Sequence, residues 1–156
     1  MVFVGRISEQ KGLDILLKAI MNVRNDNINL NVIGDGPLLQ SLCDFSMSIK
    51  NATIKFHGKI DNPYYMIKRS DLLVMPSRWE GLPTVLIESL ALNTPVISTD
   101  CKYGPREIIN NEKYLFNVDD VDELAKMLEE PNFGVSNGFD SKEYILSNIV
   151  DKYLKV

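Results

Sequence analysis

The chain has 156 residues, 45% of them hydrophobic and 24% charged, with a net charge of −4. These are the proportions of one soluble globular domain, long enough to bury a substantial core, and the acidic balance offers no global basic field to nucleic acid. No apolar run approaches the ~20 residues of a membrane-spanning helix.

In chain order, Val2–Val4 is a short apolar run closed by Gly5, the mark of a buried strand. The spacing of Leu13, Leu16, Leu17, Ile20 and Met21 predicts a helix over Gly12–Val23. A second strand is expected over Leu30–Ile33, ended by Gly34-Asp35-Gly36-Pro37, and a second helix over Leu38–Ile49. Thr53–Phe56 reads as a third strand, ended by His57-Gly58. A short helix follows over Asn62–Lys68, with Asp61 or Asn62 as its cap and Pro63 in its first turn. Leu72–Met75 is a fourth, wholly apolar strand. The central helix is expected over Pro83–Leu92, with Pro83 at the first helical position, where its missing N–H costs nothing. Val96–Ser98 reads as a fifth strand, Arg106–Ile109 as a helical turn and Tyr114–Phe116 as a sixth strand. Asp119 or Asp120 caps a helix over Val121–Glu129. A turn-rich break over Pro131–Phe139 and an amphipathic helix over Ser141–Leu154 complete the chain.

Solid apolar strands alternating with helices predict a parallel sheet covered on both faces, a Rossmann-like three-layer α/β sandwich of about six strands. Ligands of such sheets bind at the carboxyl ends of the strands, near a topological switch point. Glycine or a polar group stands at every exit here: Gly5-Arg6, Gly34-Asp35-Gly36, Gly58-Lys59, Ser77–Gly81 and Thr99–Gly104.

Gly5 to Gly12 places Arg6 and Lys11 around a strand-to-helix turn, with Lys11 at the helix start. A guanidinium fork, a point cation and free helical N–H groups together suit a diphosphate. Two solvated surface cations are the plainer alternative. The order of a P-loop is absent. Gly34-Asp35-Gly36 lacks the third glycine of a dinucleotide fingerprint and reads as a tight turn that can line a ligand. With Arg6 and Lys11 at the first turn, a nicotinamide-dependent dehydrogenase is disfavoured.

Glu80 and Glu88 stand in the sequence EGLPTVLIE, the first in a loop and the second in an otherwise apolar helix. A buried acid must be met by a partner, whether a basic side chain or a ligand. The helix rises roughly 7.5 Å between Pro83 and Glu88, so the two carboxylates lie on the order of 10 Å apart. That is too far for one shared proton or metal, and it suits the two ends of one elongated ligand. Glu88 would take the hydroxyls of a ribose, and Glu80 those of a second sugar. The N–H groups of Leu82, Thr84 and Val85 would face the crevice between them. Asp120-Val121-Asp122 has the form of a metal-holding pair but stands where aspartate ordinarily caps a helix. His57, the lone histidine, reads as structural or ligand-lining, because no triad or metal cluster accompanies it. Cys43 and Cys101 fit no metal or redox spacing and read as reduced thiols, in keeping with a cytoplasmic protein.

VGRISEQKG, GDGP, FHGKI, DLLVMPSRWEGLPTVLIESLA and TPVISTDCKYGPREII, in this order and spacing, resemble the C-terminal, donor-binding domain of retaining GT-B glycosyltransferases of family 4. The resemblance implies that Gly5, Arg6, Lys11 and Gly34 surround the diphosphate of a nucleotide sugar. Lys59 and Ile60 would lie by the base. Glu80 would hold the transferred sugar, the backbone of Gly81, Leu82, Thr84 and Val85 a phosphate, and Glu88 the ribose. Arg6, Lys11 and Glu80 would carry the catalysis. It further implies a UDP-linked donor, no essential metal or other cofactor, and a saccharide or lipid-linked acceptor. The short YGPREII segment resembles transferases of bacterial surface polysaccharide and lipopolysaccharide. Because Met1 leads straight into a strand, the chain is expected to lack an N-terminal acceptor half. That half would bring any peripheral membrane association at the inner face of the cytoplasmic membrane. A non-catalytic nucleotide-sugar-binding module paired with a separate N-terminal chain is the alternative. Pro83 departs from the family pattern, because it removes one phosphate-facing N–H.

Overall fold

Apolar strand runs and amphipathic helices alternate along the chain as their spacing predicts. The computed structural model describes residues 1–24, 27–130 and 133. Among them are β1 (Val2–Val4), α1 (Leu13–Asn22), β2 (Ile28–Ile33), α2 (Leu39–Ser46), β3 (Ala52–Phe56), α3 (Tyr64–Lys68) and β4 (Leu73–Met75). These are followed by α4 (Thr84–Ala91), β5 (Val96–Thr99), α5 (Pro105–Ile108), β6 (Leu115–Phe116) and α6 (Val121–Glu129). The break expected over Pro131–Phe139 lies, apart from Phe133, outside the described residues, as does the helix expected over Ser141–Leu154.

The six described strands form one parallel sheet in the order β3-β2-β1-β4-β5-β6. β1 pairs with β2 on one side (Phe3 opposite Val32) and with β4 on the other (Val2 opposite Leu73). Chain direction through the sheet reverses there, so the loops leaving β1 and β4 diverge to opposite faces and open a crevice between them.

Successive strand residues point to opposite faces and so feed two cores. Phe3, Val32, Val74, Ile97 and Phe116 pack with α1, α2 and α6 through residues such as Leu16, Leu42 and Leu124. Val2, Ile33, Leu73, Met75, Val96 and Leu115 pack with α3, α4 and α5 through Ile67, Leu86, Leu90 and Ile108. The expected three layers are thus present. β3 departs from the solid apolar pattern: Thr53 and Lys55 are exposed, because this strand lies at the sheet edge.

Local chemistry sets the boundaries. Residues Glu9–Lys11 form a 3-10 turn, and α1 begins at Leu13, one residue later than the apolar spacing suggests. Gly12 separates the two at φ 64°, and a Cβ there would lie 2.0 Å from the Pro76 carbonyl oxygen. Only glycine lets α1 start so close to the exit of β4. Pro83 is the N-cap of α4, not its first residue: its ψ of 88° is non-helical. Its carbonyl accepts the first helical bond, from Leu86 N–H at 3.1 Å. Asp120 caps α6, accepting from Glu123 N–H at 2.8 Å. Pro63, expected in the first turn of α3, is instead its N-cap, and Asn62, one residue before it, accepts from Tyr64 N–H at 3.2 Å through Oδ1.

Candidate functional site

The expected site residues gather on both sides of the switch point. Gly5 and Arg6 at the exit of β1, Gly34 and Asp35 after β2, and Lys59 and Ile60 after β3 line a cleft of about 270 Å³. Gly34 permits the cleft floor, since at φ 142° a Cβ would stand 1.8 Å from the Gly5 carbonyl oxygen. Arg6 and Lys59 are exposed, and among the described residues neither side chain has a hydrogen-bond or ion-pair partner. Ile60 is half-buried and packs on the α3–α4 core. His57 contacts Asn31 Oδ1 at 2.8 Å through Nε2, tying the ends of β2 and β3 together.

Lys11 links the cleft to the other side. Its side chain runs along Gly5, whose Cβ position lies 3.6 Å from Lys11 Cδ. Its ammonium donates to Glu80 Oε1 at 2.6 Å. Lys11 is therefore not one of two solvated surface cations: it is 24% exposed, and the carboxylate that it meets is 6% exposed. Lys11 and Glu80, which the sequence places on a diphosphate and a sugar, neutralise each other here.

Beyond Glu80, the chain passes through Gly81 and Leu82 into α4. Gly81 faces open space, with no atom within 4 Å of its Cβ position. Leu82 and Thr84 are exposed, and Val85 is half-buried against the α3–α5 core. Thr84 and Val85 occupy the first turn of α4, where backbone N–H groups lack intrahelical acceptors. Glu88, on the second turn, is half-buried, and among the described residues its carboxylate has no hydrogen-bond or ion-pair partner. The basic side chain that could have met it is therefore not found among them.

Sequence reading passed over the contacts that brace this geometry. Arg78 grips both carboxylate oxygens of Asp14 at 3.0 and 2.9 Å and reaches Asp119 Oδ1 at 2.8 Å. Burial works to raise the Asp14 carboxyl, but Arg78 and Lys18 prevail and hold it below its ordinary value. The hydrogen bonds that Arg78 donates to Asp14 raise the guanidinium in turn. Gly104, at φ 90°, seats the loop after β5 on the Glu80 loop, because a Cβ there would meet the Gly81 carbonyl at 2.4 Å. Cys101 on that loop is buried; desolvation pushes its thiol up, and the charge of Glu80 adds to the effect. The sequence marks Gly104, Cys101 and Asp119 as an exit, a thiol and a candidate cap, but no local signal shows the pairing of Arg78 with Asp14, which spans 64 positions. Asp120 of the Asp120-Val121-Asp122 pair caps α6, and among the described residues no group of three His, Cys, Asp or Glu could hold a metal ion. Among the same residues, no helix is long and apolar enough to cross a membrane.

An open six-stranded parallel sheet with helices on both faces and a cleft at its switch point is a Rossmann-like α/β domain. The model of the family Glycosyl transferases group 1 matches residues 1–130, and the chain belongs to that family. It is 36% identical over 155 residues to an uncharacterised glycosyltransferase of Methanocaldococcus jannaschii, covering 97% of this chain and 36% of that protein. It is 32% identical over 168 residues to an α-1,4-N-acetyl-D-galactosaminyltransferase of Campylobacter jejuni, covering 99% of this chain and 46% of that protein. The printed name of that relative gives an undecaprenol-diphosphate-linked saccharide as its acceptor. Among solved structures, TarM of Staphylococcus aureus, crystallised with fondaparinux, α-GlcNAc-glycerol and UDP, matches with a TM-score of 0.82 at 22% identity. That match covers 99% of this chain and 34% of TarM, and it shows the shared Rossmann-like fold. The chain thus spans less than half the length of these proteins.

Proposed function

We propose that this chain is the donor-binding half of a retaining glycosyltransferase and grips a nucleoside-diphosphate sugar, UDP-linked, at the switch point of its sheet. The observation that carries the reading is the set of unsatisfied charges there: Arg6, Lys59 and the half-buried Glu88 have no partner among the described residues. A half-buried carboxylate with no protein donor keeps its oxygens open to the hydroxyls of a ligand. The base and ribose would occupy the cleft by Ile60 and reach Glu88, whose carboxylate accepts the ribose hydroxyls. Arg6 and Lys11 would take the diphosphate, and Glu80 the transferred sugar.

The Lys11–Glu80 contact gives this binding an order. An arriving phosphate competes with Glu80 for the Lys11 ammonium and frees the carboxylate for sugar hydroxyls. In the transfer step Arg6 and Lys11 stabilise charge developing on the leaving diphosphate, and Glu80 and Glu88 hold the donor in place. Two cations at that position supply the role a metal plays elsewhere, so no divalent ion is required.

The acceptor, a saccharide or lipid-linked saccharide of surface polysaccharide or lipopolysaccharide synthesis, would bind outside this chain. The relatives' names and the share of their length that this chain spans support that assignment. The remaining part would bring any peripheral contact with the cytoplasmic membrane. The isolated chain is expected to bind nucleotide weakly and to transfer little or no sugar. A thermal-shift panel of UDP, GDP and ADP tests the reading, with Glu88→Ala as control. The expected outcome is a rise in melting temperature with UDP that Glu88→Ala removes; no shift with any of the three overturns it.

A further inference from the structure

Lys11 and Glu80 belong to segments that are 69 positions apart, and their contact depends on what holds those segments together. Arg78 does most of that holding. Its backbone N–H donates to the Gln10 carbonyl at 2.8 Å. Its guanidinium donates to the Glu9 carbonyl at 2.6 Å, and so grasps the 3-10 turn that carries Lys11. It also forks onto Asp14 in the first turn of α1 and reaches Asp119, which turns the chain into α6 at φ 63°. Gln10 Nε2 completes the seam by donating to the Trp79 carbonyl at 3.0 Å. Most of the guanidinium's N–H donors are thereby committed to protein oxygens, which leaves little for a ligand.

We infer that Arg78 is a positioning residue for diphosphate recognition: it clamps the turn bearing Lys11 to the loop bearing Glu80, and it acts on the ligand only through Lys11. The inference rests on the donor-site reading above. The planar fork is essential to it, since its three nitrogens make four contacts, to the Glu9 carbonyl, both Asp14 oxygens and Asp119, whereas a lysine has one nitrogen with three donors.

A mutant cycle read by NMR titration with UDP tests this, using the wild-type chain, Arg78→Met, Lys11→Met and the double variant. Arg78→Met is expected to weaken UDP binding about tenfold when Lys11 is present, and less than about twofold when it is absent. Arg78→Lys is expected to recover only part of the loss. Equal weakening in both backgrounds overturns the inference, as does no weakening in a folded Arg78→Met protein. If circular dichroism shows Arg78→Met unfolded, Asp119→Asn replaces it in the same cycle; it cuts one arm of the clamp at an exposed loop, with an expected loss of about threefold that again requires Lys11. Failure of the wild-type chain to bind UDP, GDP or ADP overturns the donor-site reading and this inference with it. UDP binding that is indifferent to Arg78 overturns this inference alone.

Discussion

The Lys11 ammonium and the Glu80 carboxylate meet at 2.6 Å across 69 positions of sequence, at the boundary between the cleft and the start of α4. Because Glu80 is only 6% exposed, removing its partner strands a nearly buried charge. Lys11→Met is therefore expected to destabilise the fold by about 2 kcal/mol. Adding Glu80→Gln should return part of that loss, because a neutral amide is cheaper to leave there. Urea unfolding of the two single variants and the double variant checks this. A double variant whose loss equals the sum of the two single losses would show that the pair is not coupled.

Glu88 behaves differently because it has no partner among the described residues to lose. Glu88→Ala is expected to change stability by less than about 0.5 kcal/mol. It should weaken UDP about tenfold by removing a charge-assisted bond to the ribose. The same substitution should weaken 2′-deoxy-UDP by less, because only the 3′-hydroxyl contact remains to be lost. Calorimetric or NMR titration with the two nucleotides separates a ribose contact from a general loss of fold.

Two glycines of the site are expected to respond in opposite ways. At Gly34, φ is 142° and a Cβ would lie 1.8 Å from backbone, so Gly34→Ala should cost about 3 kcal/mol and show in thermal unfolding. At Gly81 the Cβ position is open, so Gly81→Ala should leave stability within about 0.5 kcal/mol of the parent. If a phosphate approaches the backbone there, the same methyl group should impair nucleotide binding. Unchanged UDP affinity in Gly81→Ala would place the phosphate elsewhere.

Acid sensitivity should trace to Asp14. Burial opposes its ionisation, but Arg78 and Lys18 hold its folded-state pKa below the ordinary 3.8. Between the lowered folded value and 3.8 the unfolded chain binds more protons, so stability rises with pH there. The contribution is complete above the unfolded value and is lost as pH falls through the folded one. Asp14→Asn should flatten the dependence of the urea midpoint on pH below about 4 and leave it unchanged near neutrality. An unaltered acid limb would assign that sensitivity to other carboxylates.

The layered α/β architecture was legible in the sequence because its signals are local. Apolar runs such as Leu72–Met75, helical spacing such as Leu13–Ile20, and Asp120 before α6 each act within a few residues. The cations, acids and glycines that gather at the switch point were legible too, because they stand at strand exits. Strand order was not, since alternation alone does not say that β1 lies between β2 and β4. The mutual neutralisation of Lys11 and Glu80 was hidden for the same reason as the clamp at Arg78: these contacts close loops of 69 and 64 positions. Asp14 also meets Lys18, one helical turn on, at 3.3 Å. Pro83 showed a smaller error of the same kind. Its ring suits both the cap and the first helical position, and the turn out of Gly81 and Leu82 selects the cap.

The ends of the sheet bear on how this half behaves in isolation. On one side the sheet closes with β6, two residues long; on the other β3 presents Thr53 and Lys55 to water. A stub and a strand bearing a cation are poor templates for recruiting a neighbouring chain by backbone pairing. Among the described residues neither edge of the sheet therefore invites a further strand, and Lys55 is the charge that blunts the β3 side.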